Sequence, residues 1–123
     1  MKFEDLKAWQ KARELTNEIY RLGKLTPLNK DFGLRDQLQR AAVSVMANLA
    51  EGFERTHRAE KLQFWNVAKA SAGEVKSLLY VVGDNALADA QTTERLQGLA
   101  SEASRLISGL VSSFSRSTAT TES

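Results

Sequence analysis

Few side chains in this sequence have the types and spacing that metal binding needs. Glu54 and His57 match the Glu-x-x-His element that supplies two ligands to di-iron centres in helical bundles. Such a centre also needs a second element of this kind and further glutamates from the core. His57 is the only histidine, and it lies between Arg55 and Arg58. We therefore expect no bound metal and interpret His57 as a surface residue at a helix junction.

Nucleophilic catalysis finds no support in the sequence either. The chain has no cysteine, which rules out disulfides, thiolate metal sites and a cysteine nucleophile. Most serines lie beyond residue 100, without the glycine elbow of a serine hydrolase, and there is no glycine-rich phosphate loop. Glu51 and Glu74 are the only acids suited to a core pocket. The sequence predicts a protein that is not an enzyme, has no catalytic residues and uses no cofactor.

One set of polar residues is placed for a specific role. Its members recur every three or four positions and so share one side of a helix. This polar stripe consists of Gln37, Arg40, Ser44, Asn48, Glu51 and Arg55. The stripe is either a surface for a ligand or RNA, or a hydrogen-bonded network between helices or subunits, with Glu51 and Arg55 paired at i,i+4. Because small residues interleave with it, we favour the network, which would fix register in an assembly.

The same helix has an unusual apolar surface beside its core-facing stripe. That core stripe is Leu34, Leu38, Ala41, Val45 and Leu49. No charge occurs from Ala41 to Ala50, and the side normally left to solvent carries Val43, Met46, Ala47 and Ala50. Each helix of a four-helix bundle keeps one face in water, so these four residues predict a homo-oligomer interface. The alternative is an exposed helix with scattered apolar residues.

Apolar residues at intervals of three and four predict four amphipathic helices joined by short connections. The second helix begins near Gly33 and runs to about Phe53, and the fourth begins near Thr92. The fold class is therefore all-α, an up-down-up-down four-helix bundle over residues 1–115 that assembles into a ring-like homo-oligomer. Residues 116–123 have little to bury and are predicted to be a disordered polar tail.

Charge is nearly balanced, with 17 basic and 15 acidic residues and a net charge of +2. The candidate nucleic-acid-binding residues are Arg55, Arg58, Lys61 and Lys69. A ring of subunits would repeat this basic cluster and raise the local potential. The first 20 residues lack the apolar core of a secretion signal, and no apolar run approaches the roughly 18 residues of a membrane span. We expect a cytoplasmic protein that does not contact the membrane.

The second-helix sequence GLRDQLQRAAVSVMANLAEGFER, residues 33–55, resembles the signature of bacterial four-helix bundle proteins related to the 23S rRNA intervening-sequence proteins. The opening of the chain, with Phe3, Asp5, Leu6, Trp9, Gln10 and Ala12, is similar to the start of that family. The third helix shares Phe64, Ala68, Ser71 and Glu74 with the family pattern. It departs from that pattern where Ala70 replaces the glycine of a Gly-Ser pair and where Gly73 occurs.

The resemblance implies a class of partner. Relatives are encoded inside insertions of rRNA genes, and the bundle is also similar to accessory proteins of diversity-generating retroelements, which bind a reverse transcriptase and form pentamers. We therefore expect a homopentamer that binds RNA or a nucleic-acid-processing protein. The alternatives are a small-ligand-binding bundle and an accessory subunit of a reverse transcriptase.

Overall fold

The computed structural model describes the backbone of residues 1–122 and the side chains of residues 1–115. It contains four α-helices, α1 (Lys7–Leu22), α2 (Phe32–Glu54), α3 (Arg58–Asp84) and α4 (Ala90–Glu122). Short 3-10 helices occur at Phe3–Asp5 and Leu28–Lys30. The described backbone contains no strand. The predicted all-α class with four helices is confirmed.

Helix starts depend on aspartates at two of the connections. The carboxylate of Asp31 accepts a hydrogen bond from the amide of Leu34 at 3.2 Å and caps α2. Asp89 does the same for α4, accepting from the amide of Thr92 at 2.8 Å. The expected start of the fourth helix near Thr92 is therefore slightly late, because Asp89 already provides the cap and the helix begins at Ala90.

The start of α3 has no side-chain cap. Thr56 is well suited to cap a helix, yet the capping position is His57, whose side chain makes no capping hydrogen bond. The connection between α2 and α3 consists of residues 55–57. The carboxylate of Glu60, in the first turn of α3, instead interacts favourably with the positive end of the helix dipole.

Helices adjacent in sequence pack against each other, and α4 returns to α1, so that each helix has two neighbours, consistent with a bundle. The buried side chains form two layers. The upper core, near residues 23–31 and 85–89, contains Leu15, Ile19, Leu38, Val75, Leu79 and Leu96. The lower core contains Ala12, Val45, Leu49, Trp65, Ala68 and Ile107. None of the four helices, over the described residues, combines the length and hydropathy needed to cross a lipid bilayer.

Gly73 does not mark a close helix contact. It is exposed, and a β-carbon added there would meet no atom within 4 Å.

The predicted disorder of residues 116–123 concerns residues whose side chains lie outside the described part, and it stays a prediction. The assignment of residues 1–115 to one domain also stays a prediction.

Candidate interaction surfaces of α2 and α3

The centre of the polar stripe on α2 lies against α3. The hydroxyl oxygens of Ser44 and Ser71 are 2.8 Å apart and share a hydrogen bond between the two helices. The side-chain amide of Asn48 donates to the carbonyl oxygen of Ser44 at 2.8 Å and to its hydroxyl at 3.0 Å. Ser71 is buried, and Ser44 and Asn48 are half-buried. These three side chains therefore satisfy one another between the helices.

The ends of the stripe are also engaged, with one exception. Gln37 donates to the carboxylate of Glu74 on α3 at 3.4 Å. Arg55 donates to Glu51 at 2.6 Å, one turn away on the same helix. Arg40 is exposed and lies beside the groove described below. The structure thus brings five of the six stripe residues into contacts within this chain and leaves Arg40 facing solvent.

Arg55 is held at the point where the chain passes from α2 to α3. Besides Glu51, its guanidinium lies 3.8 Å from a carboxylate oxygen of Glu60. Its central carbon lies 4.8 Å from the centre of the Phe64 ring, in a cation-π contact. The side chain is half-buried by these partners. Arg55 therefore joins α2 to α3, and a nucleic-acid phosphate would have to compete with two carboxylates for it.

Lys61 is committed to the same junction. Its ammonium donates to the carbonyl oxygens of Phe53 at 2.7 Å and Gly52 at 3.3 Å. These carbonyls belong to the last turn of α2, where a cation is favoured by the helix dipole and by acceptors without partners in the helix. Lys61 therefore closes the C-terminus of α2.

The four basic residues singled out in the sequence do not form one open surface. Arg55 and Lys61 have the internal partners just described, while Arg58 is exposed at the first position of α3. Lys69 is exposed three turns further along α3, on the edge that faces α4. Spacing along the sequence placed the four in one cluster, but the turn at residues 55–57 directs two of them inward.

The outward face of α2 is open in the single chain. Val43 is 42% exposed, and Ala47 is exposed as well. Met46 and Ala50 are half-buried, and Met46 packs against the lower core. The apolar surface available to a partner is thus centred on Val43 and Ala47.

Beside Val43 lies an open groove of about 550 Å³ between α1 and α2. It is lined by Tyr20, Asp36, Gln39, Arg40, Val43 and Ser44. Tyr20 and Asp36 were not among the residues selected from the sequence. The ring of Tyr20 is 42% exposed and follows the buried Ile19 on α1. Its place in a groove depends on how α1 and α2 pack, which the pattern of one helix does not reveal.

Glu54 and His57 are exposed at the α2–α3 junction, and His57 lies outside both helices. Among the described residues, histidine, aspartate and glutamate side chains nowhere form a group of three or more that could hold a metal ion. The expectation that the protein binds no metal stays a prediction.

The sequence matches the family model described as 23S rRNA-intervening sequence protein over residues 4–109. A crystal structure from Bacteroides thetaiotaomicron VPI-5482, described as a protein with unknown function from the S23 ribosomal protein family, has a similar fold. The two chains are 23% identical, with a TM-score of 0.80, and the match covers 85% of this chain and 97% of that one. No curated protein matches the sequence. The likeness to the solved structure concerns the fold.

Proposed function

The chain belongs to the 23S rRNA-intervening sequence protein family, and from this premise we propose that it is a cytoplasmic, non-enzymatic interaction protein that assembles into a homo-oligomer and binds RNA. The observation that carries the proposal is the outward face of α2, where exposed Val43 and Ala47 lie in a stretch without charge. The resemblance to pentameric retroelement proteins favours five subunits.

The surroundings of this face support assembly. The groove of about 550 Å³ beside Val43 offers an apolar side chain of a second copy a place to insert, next to the exposed ring of Tyr20. Asp36 and Arg40 flank the same groove and can pair with opposite charges across an interface. Burying Val43 and Ala47 in an oligomer would remove apolar surface from water, which favours association.

The polar stripe supports an interaction role better than a catalytic one. The carboxylate of Glu51 accepts from Arg55, and that of Glu74 accepts from Gln37, so the two acids suited to a core pocket are both held by neighbouring side chains. Ser44 shares its hydroxyl with Ser71. The contacts of Gln37 and Ser44 with α3 favour a structural role, in which the stripe stabilises the packing of α2 on α3.

Assembly is tested by light scattering on the wild type and on Ala47→Glu. Ala47 is exposed, so the substitution leaves the bundle intact but places an unpaired charge in the interface, which costs several kcal/mol. Met46→Glu is less informative, because Met46 also packs on the lower core. Ser77→Glu adds the same charge at an exposed position of α3 and serves as the control. A wild-type protein that is monomeric at micromolar concentration would contradict the proposal.

RNA binding is tested separately, by the fluorescence anisotropy of a labelled single-stranded RNA titrated with wild-type protein at several salt concentrations. Each phosphate neutralised on a single strand contributes about 0.7 to the log-log salt slope, so five or more contacts predict a slope steeper than about −3. We expect Ala47→Glu to weaken binding, because it separates the subunits. An oligomer that binds no RNA at low salt would favour a protein partner, such as a reverse transcriptase.

A further inference from the structure

A shallow groove of about 290 Å³ runs between α3 and α4, on the side of the bundle away from the α1–α2 groove. Small residues keep it open, and its polar lining consists of hydroxyls and cations without any carboxylate. Its lining includes Gly73, Lys76, Ser101, Ser104, Arg105 and Ser108.

The two cations lie on opposite walls, Lys76 on α3 and Arg105 on α4. Within the described part of the chain, neither makes an ion pair or a hydrogen bond. Lys69 lies two turns before Lys76 on the same edge of α3, about 10.5 Å along the axis, and it too has no partner among the described residues. Most arginines have partners: Arg95, for example, lies 2.9 Å from Glu18. Among the described side chains of α3 and α4, the cations without an ion pair or hydrogen bond therefore line this groove, as Lys76 and Arg105 do, or lie on the same edge of α3, as Lys69 does.

An exposed aromatic ring continues this edge. Tyr80 follows Lys76 by one turn of α3 and is 56% exposed, and its ring makes no aromatic or cation-π contact with the described residues. It lines the adjoining cleft together with Thr93 and Gln97. Asp84 and Glu94 line the far end of that cleft, which gives that end a negative potential. Along α3, the cation of Lys76 is thus followed by the exposed ring of Tyr80 and then by the carboxylate of Asp84.

We propose that the α3–α4 groove is the binding site for single-stranded RNA, with phosphates at Lys69, Lys76 and Arg105 and an unpaired base stacked on Tyr80. Cations that follow a backbone beside an aromatic platform are the combination that binds single strands. Serine hydroxyls along α4 can donate to phosphate oxygens between the cations. Only an unpaired base can stack on the ring, and the acids beyond Tyr80 disfavour a phosphate there. This inference rests on the proposed function and assigns its RNA a place.

The test is anisotropy of a fluorescent single-stranded RNA of mixed sequence, about 16 nucleotides long, the upper range for one small binding module. The triple variant Lys69→Gln, Lys76→Gln and Arg105→Gln removes three phosphate contacts from each subunit. Since each contact contributes about 0.7 to the log-log salt slope, the slope should become shallower by about 2 for each subunit that the RNA contacts. Binding should weaken roughly tenfold or more at low salt. The control variant Lys7→Gln, Lys24→Gln and Lys30→Gln removes the same charge from exposed positions outside the groove. If both variants weaken RNA binding equally, the α3–α4 groove is not the binding site.

The ring is tested with a conservative pair of substitutions. Tyr80→Ala removes the stacking platform and is expected to lower affinity roughly tenfold, whereas Tyr80→Phe keeps the ring and the affinity. Neither substitution alters a described hydrogen bond, so circular dichroism spectra should be unchanged. Wild-type binding that is insensitive to the groove triple and to Tyr80→Ala overturns this inference and leaves the proposed function standing. Absence of wild-type binding overturns both.

Discussion

The indole nitrogen of Trp65 on α3 donates a hydrogen bond to the main-chain oxygen of Leu49 on α2, at 3.2 Å. The approach is possible because Gly52 lies under the indole, where an added β-carbon would sit 2.5 Å from the same nitrogen. The other side of the buried ring packs edge to face on Phe114, with 5.4 Å between ring centres. This arrangement fixes the register of α2 on α3 beside the junction that holds Arg55 and Lys61.

Gly52→Ala should therefore destabilise the protein. The methyl group would force the Trp65 ring away, and overpacking of this kind costs about 1–3 kcal/mol. Gly98→Ala is the matched control: Gly98 is exposed within α4 and its added β-carbon meets nothing within 4 Å. Helix propensity alone then stabilises that variant by up to about 1 kcal/mol. Urea unfolding measures both, and a stabilising Gly52→Ala would show that Trp65 is not packed as described.

Lys61→Met should lower the free energy of unfolding by about 1 kcal/mol, because it removes the cation from the last carbonyls of α2 while keeping a similar apolar stem. Lys69→Met is the control, since Lys69 is exposed and has no described partner. It should leave stability unchanged. If the two variants unfold alike, the Lys61 bonds to Gly52 and Phe53 contribute nothing measurable.

The sequence predicts the position of α2 and its buried side well. Leu38, Ala41, Val45 and Leu49 are buried, and Leu34 packs at the edge of the upper core. One helix with a regular apolar period is enough to define these positions, because the period directly gives the buried side.

The fourth helix shows what a single period misses. The intervals of three and four predict a buried stripe of Leu96, Leu99, Ala103, Leu106, Leu110 and Phe114. Leu96 and Ala103 are fully buried, but Leu99, Leu106 and Leu110 are half-buried, and the fully buried line continues through Ala100 and Ile107 instead. A helix with two neighbours has a wide apolar arc, whose centre is fully buried and whose flanks are half-buried. Hydrophobicity alone does not distinguish that centre from the flanks.

The candidate surfaces were predictable only where one helix determines them. The spacing of Ser44, Asn48 and Glu51 predicts that they share a side, but their partners depend on the register of α3 against α2. The internal contact of Lys61 was missed for the same reason, because the short connection turns Lys61 back onto α2. Nucleic-acid binding by the four basic residues stays a prediction. Tyr80 and Arg105 are far apart in sequence, and only the packing of α3 on α4 brings their surfaces into one region.

The Ser44–Ser71 hydrogen bond is open to a double-mutant cycle. Ser71→Ala leaves the half-buried hydroxyl of Ser44 with Asn48 alone and should cost about 1 kcal/mol. Removing both hydroxyls should cost less than the two single losses together, because no partner is left unsatisfied. Urea unfolding of the four proteins gives the coupling energy, which we expect to be about 0.5–1 kcal/mol. Strict additivity would mean that the stripe does not stabilise the packing of α2 on α3.

The cap of α4 should make stability depend on pH. Hydrogen bonds from the hydroxyl of Thr92, at 2.7 Å, and from its amide hold the pKa of Asp89 below its ordinary value of 3.8. Since folding favours the ionised carboxylate, its stabilisation is fully present above pH 3.8 and is lost as the pH falls through the lower pKa of the folded state. Asp89→Asn keeps a capping oxygen but does not titrate.

On acidification below pH 3.8, the wild type should therefore lose more free energy of unfolding than Asp89→Asn, while at neutral pH the two should differ little. Glu18, whose pKa is lowered by hydrogen bonds from Arg21 and Arg95, titrates in both proteins, so the difference between them isolates Asp89. Thr92→Val removes the hydrogen bond from the hydroxyl to Asp89. In the Thr92→Val background, the difference in acid sensitivity between Asp89 and Asn at position 89 should therefore be smaller. Urea unfolding across this acid range measures the effect, and parallel curves for the wild type and Asp89→Asn would show that the Asp89 carboxylate has the same pKa in the folded and unfolded chain.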